Sequence, residues 1–479
     1  MVPRVSLRRT FFYLVCAVPL VFLALTLTQH QDQWARSLLV GDAGAPSPPL
    51  NKLTRPADRD AAEAESTPEL RRAQGVAAAA LPEEDPGDRG NEGGEVEEQE
   101  EEEEEEGKPW YMSGGTRRSS SSRRLLGLWP AEEPGSDRIA QQLMYVPENY
   151  EPEKQVHLKK ILLYNGLGSW SPLKQGRESF LQSQCPVDTC TISTNKAEAQ
   201  DADAILFKDH FVNPGHLRPG NQVWILYFLE CPYHTQHVKH NDVFNWTATY
   251  RRDSDLVAPY EKWAYYNDKV VENPHGLDRN YAANKTKKVA WFVSNCGARN
   301  KRLQYAHELQ KHIQVDIYGS CGTKKCPRSS QGKCFDMLDK DYKFYLAFEN
   351  SNCKDYITEK FYVNGLQRNV LPIVMGARPE DYARSAPKHS YIHVDEFESP
   401  KHLAEYLHQL DRDDDLYNNY FRWKGTGEFI NTYFFCRMCA LLHADIPVKW
   451  YRDVNDWWRG PGTCTAVSWR KPKLSEPIR

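Results

Sequence analysis

The chain has 479 residues and a mass of 55.3 kDa, with 61 Lys+Arg against 65 Asp+Glu and 40 % hydrophobic residues. That length points to two or three domains, and the composition excludes a collagen-like, wholly disordered or multi-span membrane protein. The formal net charge of −4 hides a division: residues 1–150 hold 16 basic and 26 acidic residues, and residues 151–479 hold 45 and 39. The acidic front is therefore joined to a mildly basic body. The body's surplus is too small and too scattered for nucleic-acid binding and suits an anionic small substrate.

Residues 1–10 read as a cytoplasmic tail and 11–28 as a transmembrane signal anchor. The stretch 11–27 is uncharged, at the lower end of the length a spanning helix needs. Arg4, Arg8 and Arg9 precede it and only Arg36 follows closely. The positive-inside rule then keeps the N-terminus cytoplasmic and sends the body across the membrane. No small-x-small site follows the apolar run, so an uncleaved anchor is expected rather than a signal peptide. A short anchor suits a thin, early secretory membrane. Of the 12 cysteines, only Cys16 lies in the anchor. The other 11 would meet oxidising conditions, and an odd number leaves one free or paired between chains. Asn245-Trp-Thr247 and Asn284-Lys-Thr286 are N-glycosylation sequons.

Residues 29–150 read as a disordered, acidic, lumenal stem. The run 95–106 is Glu except for Val96 and Gln99, and such a run repels itself and buries nothing. The pairs Arg117-Arg118 and Arg123-Arg124 flank four serines; cleavage there would release a soluble body.

From about Val156 the pattern changes. Apolar runs of strand length fall at 161–164, 204–207, 222–229, 288–293, 315–318, 344–348, 371–374 and 391–394. Helical patterns fall at 300–312, 355–369 and 401–410, the last entered through Ser399-Pro400. Alternation of this kind predicts an α/β fold with parallel sheets and crossover helices, divided into two domains at 151–286 and 287–445 before a tail at 446–479. Ligands in such folds sit beyond the carboxyl ends of strands. The loops after Asn295, Asn350 and Gly376 are therefore where a site is expected.

The most informative stretch is 344–376, FYLAFENSNCKDYITEKFYVNGLQRNVLPIVMG. It reads as a buried strand, a polar turn, an amphipathic helix and a second strand. Asn350, Tyr356, Glu359 and Lys360 gather at the strand end and the first helical turn. A helix N-terminus beside a lysine favours phosphate, and a nearby glutamate can accept from ribose hydroxyls. A nucleotide-diphosphate site follows.

This segment resembles the donor-binding signature of the α1,3/4-fucosyltransferase family, in which F-x-L-x-F-E-N-S, then D-Y-x-T-E-K, then V-P-V-x-x-G recur at this spacing. Residues 288–309 resemble that family's strand–loop–helix with a phosphate-binding arginine, which falls on Arg302. Residues 229–260 resemble its acceptor-side stretch. The resemblance covers about 155–440 and implies a GT-B glycosyltransferase, two Rossmann-like domains facing a cleft, with GDP-fucose as donor and inversion at the fucose anomeric carbon. Glu230, at the end of a long apolar strand, is implied as the base, with burial expected to raise its pKa. Arg302 and Lys360 would neutralise the departing diphosphate, Glu359 would bind ribose, and Asn350 and Tyr356 would hold the diphosphate and sugar. No metal is demanded, and a divalent cation, Mn2+ or Mg2+, is expected only to stimulate. The stretches 321–339 and 376–382 resemble the invertebrate core α1,3 subgroup, which modifies the innermost GlcNAc of N-glycans on glycoproteins. The implied protein is a single-pass type II enzyme of the Golgi membrane. Its rivals are a Lewis-type antennal or protein-directed fucosyltransferase and a catalytically silent glycan-binding protein. Against silence, Glu230, Arg302, Glu359 and Lys360 are all present.

Other patterns read more plainly. Asp253-Ser-Asp255 and 411–415 match a loose D-x-D, which is frequent by chance; the second is expected to be a solvated helix end. Cys436-x-x-Cys439 lacks a second ligand pair for zinc, so both cysteines are expected in structural disulfide bonding. Cys231, His234, His237 and His240 have helical spacing, but Pro232 breaks that helix, and an acceptor loop is expected rather than zinc. Trp450, Trp457, Trp458 and Trp469 are expected to pack the tail against the body.

Overall fold

Six short strands open the folded body: β1 (Lys159–Leu163), β2 (Cys190–Ser193), β3 (Ala204–Lys208), β4 (Val223–Phe228), β5 (Trp246–Thr249) and β6 (Leu256–Val257). The computed structural model describes residues 107–116, 127–148, 150–154, 157–168, 170, 172–444 and 449–470. The expected anchor, the acidic run 95–106, both dibasic pairs and the last nine residues lie outside these. Among the described residues no helix is long and apolar enough to cross a membrane.

The six strands form one parallel sheet in the order β2-β1-β3-β4-β5-β6. Alternate side chains feed two cores. Ile161 and Leu163 of β1, with Ala204 and Leu206 of β3, enter one; Leu162, Ile205 and Phe207 enter the other. A strand covered on both faces must be apolar throughout, which is why β4 reads VWILYF with every residue buried. β7 (Lys262–Tyr265) then leaves this sheet.

The second half contains β8 (Lys287–Phe292), β9 (Val315–Tyr318), β10 (Tyr342–Phe348), β11 (Asn352–Cys353), β12 (Leu371–Met375), β13 (Ile392–His393), β14 (Gly427–Ile430) and β15 (Cys464–Thr465). Five of them form a second parallel sheet, β13-β12-β10-β8-β9. β7 pairs antiparallel with β14, and β11 with β15. Phe344, Leu346 and Phe348 of β10 enter one core and Tyr345 and Ala347 the other. The helix Arg302–Gln310 crosses from β8 to β9, and Pro400–Arg412 follows β13, capped by the Ser399 hydroxyl accepting from His402 N–H.

Three expectations change. The predicted stem ran to residue 150, yet Leu128, Trp129, Ile139 and Leu143 are buried. Trp129 packs 5.3 Å from Trp246. Arg138 is buried and donates to the carbonyls of Ser136, Arg252 and Ser254 at 2.6, 2.7 and 2.6 Å. Leu128 and Trp129 join the core of the first sheet, and Ile139 and Leu143 pack with Val257 of β6, so this stretch belongs to the body.

The predicted donor-side domain ran to 445, but the helix Phe434–Leu442 returns to the first sheet, where Cys436 and Met438–Leu442 join its core. The predicted helix at 355–369 is only Glu359–Phe361 followed by a π-turn, Tyr362–Leu366. At Gly365 an added Cβ would lie 2.9 Å from Pro372 Cβ, so the turn packs too closely on β12 for a larger residue. The tail packs as expected at Trp458, which is fully buried, while Trp450 remains 44 % exposed.

Five disulfides form among the described residues: Cys185–Cys436, Cys190–Cys439, Cys296–Cys321, Cys326–Cys334 and Cys353–Cys464. Cys436 and Cys439 are thus both bonded, each to a distant cysteine and not to one another. The odd cysteine is Cys231, free and buried. Several D-x-D carboxylates are in ion pairs, while Asp413, Asp414 and Asp415 lie exposed at a helix end, as expected. Asp411 meets Lys288 and Lys343, and Asp253 meets Arg251 and Lys354.

Candidate active site

Glu230 follows β4 at the carboxyl edge of the first sheet, and the loop after β10 of the second sheet reaches it. Its Oε1 accepts from Tyr356 O–H at 2.6 Å, from Cys231 N–H at 2.8 Å and from Asn350 Nδ2 at 3.3 Å. His234 Nδ1 lies 3.7 Å away, and the Glu230 side chain remains 44 % exposed. Two of the donors, Tyr356 and Asn350, come from the loop after β10. The glutamate of one half is therefore held by the other half.

This holding reverses the expected pKa shift. Burial pushes the Glu230 carboxyl up, but the hydrogen bonds from Tyr356, Cys231 N–H and Asn350, with His234 beside them, bring it below its ordinary value. Hydrogen bonds to a carboxylate favour the charged form, so Glu230 is ionised. Tyr356 is fully enclosed, its ring 5.1 Å from that of Tyr250.

Arg302 opens its helix just beyond β8. Its guanidinium is buried, donating to Phe348 O at 2.6 Å and Asn295 O at 3.1 Å. Burial lowers its pKa, and the negative charges of Glu349 and Glu230 oppose that. Asn300 donates to Glu349 O at 3.0 Å and to Asn352 Oδ1 at 2.9 Å. Three buried atoms here have no partner among the described residues: Arg302 Nε, Asn300 Oδ1 and Asn350 Oδ1. Buried polar atoms are normally satisfied, so this cluster has unused capacity for a polar ligand.

Lys360 sits between two glutamates, with Nζ 3.3 Å from Glu349 Oε2, 3.0 Å from Glu359 Oε1 and 2.9 Å from Thr358 Oγ1. Burial works against its charge, but the two carboxylates hold its pKa well above the ordinary lysine value. Glu359 is 40 % exposed. The helix at 359 is too short to present a useful dipole. The positive charge gathered here is that of the Arg302 and Lys360 side chains, not that of the expected helix N-terminus.

Glu349 is the residue that sequence reasoning passed over. It is fully buried, accepting from Thr358 N–H at 2.8 Å and from its hydroxyl at 2.9 Å. Burial raises its pKa and Lys360 opposes that. Gly376 makes room for it: its φ is +153°, and an added Cβ would lie 2.6 Å from Glu349 Cβ. A glutamate directly after a seven-residue buried strand was the available signal. Of the two sequons, Asn284 is exposed. Asn245 is not free: its amide accepts from Trp224 N–H at 2.9 Å and donates to Lys449 O at 3.2 Å.

Comparison with known proteins matches this arrangement to two family descriptions. "Fucosyltransferase, N-terminal" covers residues 157–261 and "Glycosyltransferase family 10 (fucosyltransferase) C-term" covers 282–457. A glycoprotein 3-alpha-L-fucosyltransferase A of Drosophila melanogaster is 62 % identical over 387 residues, 78 % of this chain and 76 % of the relative. An alpha-(1,3)-fucosyltransferase C of the same organism is 37 % identical over 318 residues, 60 % of this chain and 73 % of the relative. A solved alpha1,3-fucosyltransferase with GDP-fucose is similar at a TM-score of 0.43 and 18 % identity, covering 66 % of this chain and 98 % of that one; at that score the likeness bears no weight here. The two matched segments and the 62 % relative settle the family: the chain belongs to glycosyltransferase family 10, the fucosyltransferases.

Proposed function

We propose that this enzyme transfers L-fucose from GDP-fucose, in α1,3 linkage and with inversion, to the innermost, Asn-linked GlcNAc of N-glycans on glycoproteins. The observation that carries the acceptor is the 62 % identity to a glycoprotein 3-alpha-L-fucosyltransferase over 78 % of the chain. The chemistry is supported by an ionised Glu230 opposite Arg302 and Lys360. Glu230 takes the proton of the acceptor hydroxyl as that oxygen bonds to the fucose anomeric carbon. The bond from that carbon to the phosphate oxygen breaks, and GDP leaves with the electron pair. Arg302 and Lys360 stabilise the negative charge that grows on the diphosphate, so no metal is required and a divalent cation only stimulates. Glu359 binds the ribose.

Asn350 and Tyr356 hold the diphosphate and sugar when the donor is bound. Both also donate to Glu230 Oε1, which ties the donor-binding loop to the base. The two sheets act as the two Rossmann-like halves of a GT-B enzyme, and the body works on the lumenal side of the Golgi membrane behind a single N-terminal anchor and stem.

Incubation with GDP-fucose and a panel of N-glycopeptides tests this reading, with linkage read by mass spectrometry before and after a core-specific glycosidase. Fucose α1,3-linked to the innermost GlcNAc is expected. Transfer only to antennal sugars would favour the Lewis-type reading, and no transfer to any acceptor would favour a silent binding protein.

A further inference from the structure

We propose that Glu230, Cys231 and His234 form a binding site for a thiophilic divalent cation of the zinc class, placed on the catalytic carboxylate and inhibitory when filled. One carboxylate oxygen of Glu230, Sγ of Cys231 and a ring nitrogen of His234 all lie within 4.8 Å of one another. Cys231 Sγ is 3.4 Å from His234 Nδ1, and that nitrogen is 3.7 Å from Glu230 Oε1. Tetrahedral zinc with ordinary bond lengths needs separations of about 3.5 Å between sulfur and nitrogen and about 3.4 Å between nitrogen and oxygen. These two separations are within a few tenths of an ångström of the ideal, and the sulfur and the carboxylate oxygen lie within 4.8 Å of one another.

The sequence spacing explains how they meet. Pro232–His234 forms a 3₁₀ turn, which returns residue 234 to residue 231 in a single turn. His237 and His240, which shared the helical spacing, do not join the cluster. The ligands also have supporting partners. Ser351 Oγ lies 3.1 Å from Cys231 Sγ, and Tyr356 O–H and Cys231 N–H hold the carboxylate. Such outer partners fix ligand orientation. A thiol, an imidazole and a single carboxylate suit zinc far better than Mg2+ or Mn2+, which prefer oxygen ligands. Three protein ligands leave the fourth position open to the cleft through the partly exposed His234. As the cation binds, the Cys231 thiol gives its proton to solvent and the sulfur–metal bond replaces the S–H bond. The carboxylate then holds a cation and cannot take the acceptor's proton. That inhibitory consequence rests on Glu230 acting as the base; the site itself does not.

Co2+ added to the purified full chain provides the test. One equivalent should give thiolate-to-cobalt charge-transfer absorption, bleached by Zn2+ and missing in Cys231→Ser. In transfer assays each protein is compared with its own uninhibited rate. Half-inhibition by Zn2+ should need at least ~10-fold more metal in Cys231→Ser and in His234→Gln than in the wild type. His234 is partly exposed, so its variant folds. No charge-transfer band, a band that survives Cys231→Ser, or unchanged Zn2+ sensitivity in both variants would overturn the site. A protein that transfers no fucose would sink the proposed function, while the cobalt spectrum would still decide the metal site.

Discussion

Replacing Glu230 with Gln isolates proton transfer from architecture. The amide oxygen of Gln can occupy the position of Oε1 and accept from the same donors, Tyr356 at 2.6 Å, Cys231 N–H at 2.8 Å and Asn350 at 3.3 Å. Each bond weakens from charge-assisted to neutral, a change of about 1 kcal/mol apiece, so the loop stays in place. What disappears is the base. General-base catalysis is worth about 10²- to 10⁴-fold, which corresponds to about 3–5 kcal/mol of barrier. Turnover from GDP-fucose to an N-glycopeptide should therefore fall by that factor. GDP affinity, measured by calorimetry, should stay within about threefold, because the diphosphate cations Arg302 and Lys360 make no bond to Glu230. Turnover within tenfold of wild type would refute Glu230 as the base. An equal collapse of GDP binding would show instead that it organises the donor site.

Tyr356→Phe removes the shortest hydrogen bond to Glu230. With one donor fewer the carboxyl pKa rises, so the acid limb of kcat/KM should move to higher pH; an unmoved limb would argue against this coupling. Lys360→Ala leaves the fully enclosed Glu349 without its countercharge, a loss on the order of 3–5 kcal/mol. Adding Glu349→Gln should restore the melting temperature but not GDP affinity, which separates folding from binding. Glu261 is pushed up to about 7 by burial, against about 4.3 for an ordinary glutamate. Between those values the folded chain holds a proton that the unfolded chain has lost, so stability falls as pH rises through the window. The effect is on the order of 2–3 kcal/mol, and Glu261→Gln should flatten the melting temperature from pH 5 to 7.5. Glycan mapping by mass spectrometry should find Asn284 occupied and Asn245 bare, because only the first presents a free amide; a glycan on Asn245 would mean attachment before that side chain is enclosed.

The strands were legible because a strand covered on both faces is apolar from end to end, as β4 and β10 are. Helix length at 359–366 was not, because the π-turn answers to the close approach of Pro372 to Gly365, a tertiary contact. Residues 127–148 look like stem in composition; their place in the body depends on a handful of side chains, chiefly Trp129 and Arg138, meeting a sheet formed later in the chain. The charged members of the site were recognisable from their motif. The pKa of Glu230 was not: apolar flanks predict an upward shift, and the three donors that reverse it come together only when the halves meet. Glu349 escaped because its carboxylate is sealed beneath Lys360 and does not face the cleft.

The bonds from Cys185 and Cys190 to Cys436 and Cys439 span 251 and 249 residues. During synthesis at about 5–20 residues per second, the two early thiols wait roughly 10–50 s for their partners to emerge. The first sheet therefore cannot complete its covalent frame until nearly the whole chain has been made, and the helix Phe434–Leu442 acts as a latch on a sheet whose last strand ends at Val257. A chain stopped before residue 436 leaves two unpaired thiols under an open core face, a mark by which unfinished molecules can be told from complete ones. Expressing the amino-terminal half alone would reproduce that unfinished state rather than a domain.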